Sequence, residues 1–155
     1  MVEACTVRTV GGYGIIASTI KSCSAFDCGN TAIDGDEVSD CRGQSSSASG
    51  IGDGVDGETA LNCYGFSPSG EGVSATTAQN CYGSSPSGIG VDSTIAQNCF
   101  GDSTSGDGLV VSYTASGCSG FSQSGTGLDA FIANVCHGDT YTGTALSTSH
   151  NINSY

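Results

Sequence analysis

The chain has 155 residues with 25 glycines, nine cysteines and no tryptophan, and only 12% of its residues are charged. Fifteen acidic residues against three basic ones give a net charge of −12. Such a surface repels phosphates and anionic lipids, which excludes nucleic acids and membrane surfaces as favoured partners.

The N-terminal residues Met1 to Cys5 lack the basic and apolar regions of a signal peptide. No apolar run approaches the roughly 20 residues of a transmembrane span. Serine, threonine, glycine and asparagine are abundant, whereas lysine occurs once. We therefore expect a segment of a longer secreted or cell-surface protein, with a cytoplasmic protein as the alternative.

Cysteine recurs at a nearly fixed interval along the chain. Successive members of the series are 18, 18, 22, 18, 18, 19 and 18 residues apart, and Cys28 alone is out of phase. Such a period indicates stacked copies of one unit, here called a coil. The two longer intervals predict surface insertions of four residues within 46–54 and of one residue within 110–113. The series consists of Cys5, Cys23, Cys41, Cys63, Cys81, Cys99, Cys118 and Cys136.

Small or apolar residues alternate with variable ones after each cysteine. The second following residue is mostly glycine, the tenth is Val, Ile or Leu once the insertion is allowed for, and the fifteenth is mostly alanine. A period of two indicates strands with one face inward, and the glycine density argues against helices. The fourth following residues, which we also assign inward, are Thr9, Asp27, Ser45, Ser67, Ser85, Ser103, Ser122 and Thr140.

These patterns predict an all-β fold, a single-chain parallel β-solenoid of about eight coils that forms one domain over residues 1–155. At ~3.3 Å per residue, 18 residues give a perimeter of at most ~60 Å, which suits one coil of a solenoid. Eight coils ~4.8 Å apart make a rod on the order of 38 Å long. Because the inward residues are small, we expect backbone ladders and stacked small side chains to stabilise it.

Nine cysteines would suggest disulfides in a secreted protein or a metal cluster in a cytosolic one. Both usually need irregular or clustered spacing, whereas here one cysteine occupies the same inward column in each coil. We therefore expect an unpaired stack of buried thiols. A disulfide between Cys23 and Cys28 is the alternative.

Asparagine precedes the cysteine in three consecutive coils, at Asn62, Asn80 and Asn98, and a Gly-x-Gly-aliphatic motif opens the long strands. These features resemble the right-handed parallel β-helix repeats of the pectate-lyase-like superfamily. The resemblance implies that each asparagine occupies a tight left-handed bend and that its amide bonds to the next copy. Departures are Asp40, Gly117 and Val135 at this position.

The superfamily includes lyases, hydrolases, phage tailspikes and adhesins, so the resemblance leaves activity open. For the lyases it implies calcium-binding carboxylates with an arginine or lysine base. Acidic residues do gather in the first four coils, where a general acid/base pair is conceivable, but the basic residues Arg8, Lys21 and Arg42 fall in different columns. We favour a solvated acidic face over an enzyme. The acidic set is Asp34, Asp36, Glu37, Asp40, Asp53, Asp56 and Glu58.

A metal site has one candidate, the carboxylates of Asp34 and Asp56 in neighbouring coils. The runs Gly88 to Asp92 and Gly125 to Asp129 also resemble part of the RTX calcium-binding repeat. No other cofactor is expected, and calcium is the one candidate ion.

Outward aromatic residues follow three consecutive cysteines. Tyr64, Tyr82 and Phe100, flanked by Phe66, form a patch that suits sugar stacking or a protein partner. A lateral face covered by another copy of the chain is the alternative. The repeated Ser-x-Ser motif, as at Ser85 and Ser87, would give an outward hydroxyl array of the ice-binding kind if our inward assignment fails.

Taken together, the sequence favours a structural repeat module of a secreted or surface protein: a rigid spacer, adhesion stalk or filament unit. Uncapped solenoid ends expose sheet edges, so self-association through the ends or a lateral face is expected. A glycan-binding or glycan-degrading β-helix, or a calcium-stabilised RTX-like solenoid, is the alternative.

Overall fold

The computed structural model describes residues 1–47 and 52–155 of the chain. These residues contain strands and turns but no helix, and they wind into a parallel β-solenoid of eight coils, as predicted. The four-residue insertion predicted within 46–54 falls largely on residues outside this description. No helix that is long and apolar enough to cross a membrane occurs in the described ranges.

Each coil contributes strand segments to each of two parallel sheets, and the sheet A segment of the second coil is divided in two. Sheet A, which is ten-stranded, contains the longer strands: β1 (Val2–Glu3), β3 (Ile15–Ile16), β4 (Thr19–Lys21), β6 (Ile33–Ser39), β8 (Val55–Leu61), β10 (Val73–Gln79), β12 (Val91–Gln97), β14 (Leu109–Ser116), β16 (Thr126–Asn134) and β18 (Thr144–Ile152). Sheet B, which is eight-stranded, contains β2 (Thr6–Val10), β5 (Ser24–Cys28), β7 (Arg42–Ser45), β9 (Tyr64–Phe66), β11 (Tyr82–Ser85), β13 (Phe100–Ser103), β15 (Ser119–Ser122) and β17 (His137–Thr140).

A two-residue corner joins sheet A to sheet B in every coil. Its first residue has a left-handed backbone with φ between 52° and 62°, and its second is the cysteine of the series. Asparagine suits this backbone because its short polar side chain tolerates it. The expected asparagine bend is therefore confirmed. The bend residues are Ala4, Ser22, Asp40, Asn62, Asn80, Asn98, Gly117, Val135 and, before Ser154, Asn153.

Val135 is the β-branched member of this bend series. Its φ is 52° and its side chain is 61% exposed, so strain is not offset by burial. We expect Val135→Asn to stabilise the fold by about 1 kcal/mol, because asparagine tolerates the left-handed region. Urea denaturation followed by circular dichroism measures the change. Ile16→Asn, at an equally exposed β-branched residue in a strand outside the bend series, is the control. A Val135→Asn variant no more stable than the parent would contradict the strain argument.

The inward columns are those predicted from the sequence. The Val, Ile and Leu column is buried from Ile15 to Leu128, and the alanine-rich column from Ile20 to Ala133. Sheet A adds one inward column that sequence reasoning did not assign. It is formed by Gly57, Ala75, Ser93, Val111 and Ala130, which are paired in register.

The first two coils depart from the predicted alignment. Thr9 and Asp27 are not in the inward serine column, because both adopt left-handed backbones, each with φ 54°, and face solvent. The next residues, Val10 and Cys28, take the column instead, and Cys28 pairs in register with Ser45. Cys28 thus takes the place of the serine in this column. Cys23 and Cys28 are both free thiols, which rules out the alternative disulfide between them.

The single-residue insertion predicted within 110–113 is confirmed. The register of β14 against β16 shifts between Val111 and Thr114, where β14 carries one residue more than its neighbour β12. The bulge exposes Tyr113 on the outer face of sheet A.

Candidate functional site

An aromatic stack runs along the outer face of sheet B and is the most distinctive surface feature. Strand register places Tyr64, Tyr82 and Phe100 directly over one another. The ring centroids of Tyr64 and Tyr82 are 5.2 Å apart with an interplanar angle of 5°, and those of Tyr82 and Phe100 are 5.3 Å apart at 13°. Phe66 lies in the next outward column, where it pairs with Gln44 and Ser84 rather than with a ring.

Two arginines extend this stack toward the N-terminus. The Arg42 guanidinium lies 4.7 Å from the centroid of Tyr64 and 5.5 Å from that of Phe26, and the Arg8 guanidinium lies 4.9 Å from Phe26 on the other side. Cation–π contacts of this kind contribute about 0.5–1 kcal/mol each at exposed sites. Two of the three basic residues are therefore part of the aromatic stack.

An amide ladder flanks the aromatic stack at the corner. Asn80 Nδ2 donates to Asn62 Oδ1 at 3.1 Å, Asn98 Nδ2 donates to Asn80 Oδ1 at 3.4 Å, and Asn62 Nδ2 donates to Asp40 Oδ1 at 3.0 Å. The bonding between copies that the resemblance implied is present. The amide ladder and the aromatic stack together line an open groove of about 660 Å³.

The stacking limits what this groove can bind. Tyr82 has a ring over each of its faces, and Tyr64 is covered by Tyr82 on one face and by Arg42 on the other. A sugar ring stacks on an aromatic face, so neither tyrosine offers a free face. The groove presents ring edges and amide groups instead, which suit hydrogen bonding along the rod axis.

Four of the predicted acidic residues, Asp34, Asp36, Asp56 and Glu58, line one open pocket on sheet A, and the others lie elsewhere. Asp40 lies in the amide ladder at the corner, Asp53 lies in a turn, and Asp34 and Asp56 are register partners on sheet A. Burial, followed by the Asp34 charge, raises the pKa of Asp56. Further along the same column, Ser74 lies between Asp56 and Asp92, and Val110 lies between Asp92 and Asp129. These carboxylates are therefore not register partners.

The Asp34 and Asp56 pair offers two carboxylates to a cation. Ca²⁺ takes six to eight oxygen ligands. Within residues 1–47 and 52–155 no group of three or more His, Cys, Asp or Glu side chains is arranged to hold a metal ion. Calcium at this pair therefore stays a prediction, and it would need backbone and water ligands to complete the site.

Asp53 and Glu71 form a second acidic pair, in the turns that precede β8 and β10. Asp53 Oδ1 accepts a hydrogen bond from the Glu71 backbone N–H at 2.9 Å. Burial first, and then a side-chain hydrogen bond with Glu71, raises the pKa of Asp53 to about 7, whereas the hydrogen bond from the Glu71 backbone opposes this shift. Burial also raises the pKa of Asp92, with a smaller contribution from the Glu71 charge.

This raised pKa predicts that the fold loses stability as pH rises. The folded state holds the Asp53 proton up to about pH 7, whereas the unfolded chain releases it near pH 3.8. Stability is therefore greatest below this window, falls between about pH 4 and 7, and stays lower above it. After allowance for solvent screening, the loss is on the order of 1–2 kcal/mol.

Urea midpoints measured at pH 4 and pH 8 test this dependence. Asp53→Asn keeps the acceptor for the Glu71 N–H and should be more stable than the parent at pH 8 but not at pH 4. Asp36→Asn removes one exposed negative charge and controls for net charge. Equal effects of the two variants at pH 8 would show that Asp53 is not responsible.

The thiol stack is confirmed among the described residues, where every cysteine is free and all but Cys5 are buried. Each buried member of the 18-residue series donates to the carbonyl two residues before it, as Cys41 does to Ser39 at 3.0 Å and Cys63 to Leu61 at 3.2 Å. Burial is the main cause that raises the pKa of Cys28 and the pKa of Cys41. The side-chain hydrogen bond with Cys81 is the largest effect on Cys63 and lowers its pKa. The column is a packing element, because its buried members belong to the hydrophobic core.

The inner serine column is buried, which excludes it from an outward hydroxyl array. Ser85 Oγ donates to the Gly70 carbonyl at 2.7 Å and accepts from the Gly88 N–H at 2.9 Å. Ser67, Ser103 and Ser122 repeat both bonds in their own coils. Each hydroxyl thus joins the turn of its own coil to the turn of the preceding one.

Sequence reasoning missed three contributors to the outer surface. Arg8, Phe26 and Arg42 were not linked to the aromatic series, although Arg42 follows its cysteine directly, as Tyr64 does, and pairs with Tyr64 in register, while Arg8 pairs with Phe26. A second ring stack on sheet A, from Tyr113 to Phe131 at 6.2 Å, was also missed, because its first ring lies in the bulge of β14. The 19-residue interval between Cys99 and Cys118, one residue longer than the usual 18, was the sequence signal for that bulge.

Comparisons with protein-family models, curated proteins and solved structures gave no match to this chain.

Proposed function

We propose that the chain is a structural repeat module, a rigid spacer within a secreted or cell-surface protein. The observation that carries the proposal is the continuous parallel pairing of both sheets along the rod, in which the cysteine and aliphatic columns continue from coil to coil. A rod with its strands paired on both sides and its side chains stacked on their own copies resists bending. A stalk or filament unit needs this property.

The surface supports a passive role. The carboxylates that share a pocket on sheet A, those of Asp34, Asp36, Asp56 and Glu58, have no basic residue beside them in its lining. Two of the three cations are engaged by aromatic rings. The scarcity of lysine and the abundance of serine, threonine and glycine favour the extracellular setting. Kinship with the pectate-lyase-like superfamily, with right-handed winding, is part of the same proposal.

Electron–electron distance measurements test the rigidity. Spin labels are attached through a non-natural amino acid at Ser18, exposed between β3 and β4, and at Ser149, exposed in β18, which are seven coils apart. The spacer proposal predicts one narrow distance distribution centred near ~34 Å, from seven steps of ~4.8 Å. A broad or bimodal distribution would overturn the proposal, because it would show that the coils move relative to one another.

A second candidate is recognition of a linear glycan in the groove beside the amide ladder. The repeat of Asn62, Asn80 and Asn98 supports it, since each amide retains hydrogen-bonding capacity beyond the ladder. A glycan array read with the parent protein and with Tyr82→Ala distinguishes the candidates. Binding that disappears in the variant favours recognition, whereas no binding by either protein favours the spacer.

A further inference from the structure

Tyr64 and Tyr82 are two tyrosines in direct ring contact in adjacent coils. Their strands are paired in register, and their rings are stacked with centroids 5.2 Å apart. Elsewhere in the described residues, the ring contacts of tyrosine are with other residue types: Tyr113 with Phe131, Tyr141 with Phe121 and Tyr155 with His137. The pair is therefore chemically distinct from the rest of the aromatic surface.

We propose that this pair is an oxidative cross-linking site. A one-electron oxidant, such as a haem peroxidase with hydrogen peroxide, couples the two phenols into an intramolecular dityrosine. The bond staples β9 to β11 and so joins the fourth and fifth coils covalently. The inference goes beyond the spacer role and does not depend on it, because it concerns only the reactivity of the two rings.

Electrons and protons balance in this coupling, and no other group of the protein takes part. Each phenol loses one electron and its phenolic proton, which gives a phenoxyl radical with spin density on the ortho carbons. One ortho carbon of each ring forms the new carbon–carbon bond. The hydrogens on the joined carbons then leave as protons while both phenol O–H groups are restored. The protein loses two hydrogen atoms in total, and one hydrogen peroxide is reduced to two waters.

The fold favours this reaction over coupling between molecules. Holding two reactants in contact gives a high effective concentration, which an encounter between separate chains does not match. The rings are also accessible, since Tyr82 is 36% exposed and its edge lines the open groove. The rings need only tilt from their stacked arrangement to bring two ortho carbons together, and solvent on the outer side permits the tilt.

The cross-link can be detected by proteolysis, because Glu71 lies between Tyr64 and Tyr82 in the sequence. The folded protein, with the exposed Cys5 thiol blocked by alkylation, is oxidised at low concentration with peroxidase and hydrogen peroxide. It is then unfolded, reduced and alkylated, so that no disulfide joins the fragments, and cleaved with a glutamate-specific protease, which places Tyr64 in the fragment 59–71 and Tyr82 in the fragment 72–155. We expect the two fragments to remain joined, with dityrosine fluorescence and a mass lower by two hydrogen atoms.

Matched variants assign the cross-link to the pair. Tyr64→Phe and Tyr82→Phe should each reduce the joined product to the level of unoxidised protein, whereas Tyr113→Phe should leave it unchanged. Phenylalanine already occupies the same column at Phe100, so these variants keep the stack, and circular dichroism checks their fold. Phe100→Tyr extends the row to three tyrosines and should yield a trityrosine species.

Three results would overturn the inference. They are joined fragments that persist in Tyr82→Phe, dityrosine found only between two protein molecules, and dityrosine at equal yield when the oxidation is carried out in denaturant. The last would show that stacking in the folded coil makes no contribution.

Discussion

Gly83→Ala is expected to cost about 3 kcal/mol or more of folding free energy, or to prevent folding. A Cβ at Gly83 would overlap the Gly90 carbonyl oxygen of the same coil and lie 2.7 Å from Val91 Cγ2. Neither the strand nor the turn can move away without breaking its ladder bonds to the neighbouring coils. The coil is flat at this point because backbone lies against backbone with no side chain between.

Gly11→Ala is the matched control, since a Cβ there has no heavy atom within 4 Å. Its effect should stay within about 0.5 kcal/mol. Urea denaturation followed by circular dichroism measures both variants. Similar midpoints for the parent and Gly83→Ala would mean that the coil is wider than described and that the glycine column has no steric role.

Ser85→Ala should destabilise the fold by about 2–4 kcal/mol, the second largest effect we expect. The substitution leaves the Gly70 carbonyl and the Gly88 N–H without their hydroxyl partner in a buried turn. Each unpaired buried group costs about 1–3 kcal/mol. Because the two groups belong to adjacent coils, the loss weakens both the turn and the stacking.

Two further serine variants separate the hydrogen bonds from the volume of the hydroxyl. Ser87→Ala, at the exposed serine of the same motif, should change stability by less than about 0.5 kcal/mol. Ser85→Thr should retain most of the stability, since Thr140 fills this position in the last coil and accepts from the Gly143 N–H at 3.0 Å. If Ser85→Ala and Ser87→Ala unfold at the same urea concentration, the bridging role of Ser85 is wrong.

The sequence was sufficient for the period, the inward columns and the left-handed bend, because each depends on residues that recur at the same offset. It was misleading in the first two coils. Asp27 adds one residue to the strand, but only four residues separate Cys28 from Ile33, whereas five separate Ser67 from Val73. The extra residue in the strand is compensated in the turn, so the cysteine spacing stays at 18 and conceals the change.

The surface was less predictable than the core. The outward row of Tyr64, Tyr82 and Phe100 was expected, but the consequence of its register was not: rings in adjacent coils cover one another's faces. Spacing places Arg42 over Tyr64, but the additional contact of Arg42 with Phe26 depends on side-chain reach, which spacing does not encode. Function is still less accessible, since a repeated surface carries no single constellation of groups that identifies a reaction.

Deletion of one coil tests the central claim most directly. Removal of residues 73–90 joins Gly72 to Val91 and should leave every remaining column in register. The account predicts a cooperatively unfolding β-protein with one coil fewer, whereas removal of the nine residues 73–81, half a coil, should abolish the native spectrum. If the two deletions behave alike, the 18-residue unit is not one circuit of a stacked solenoid.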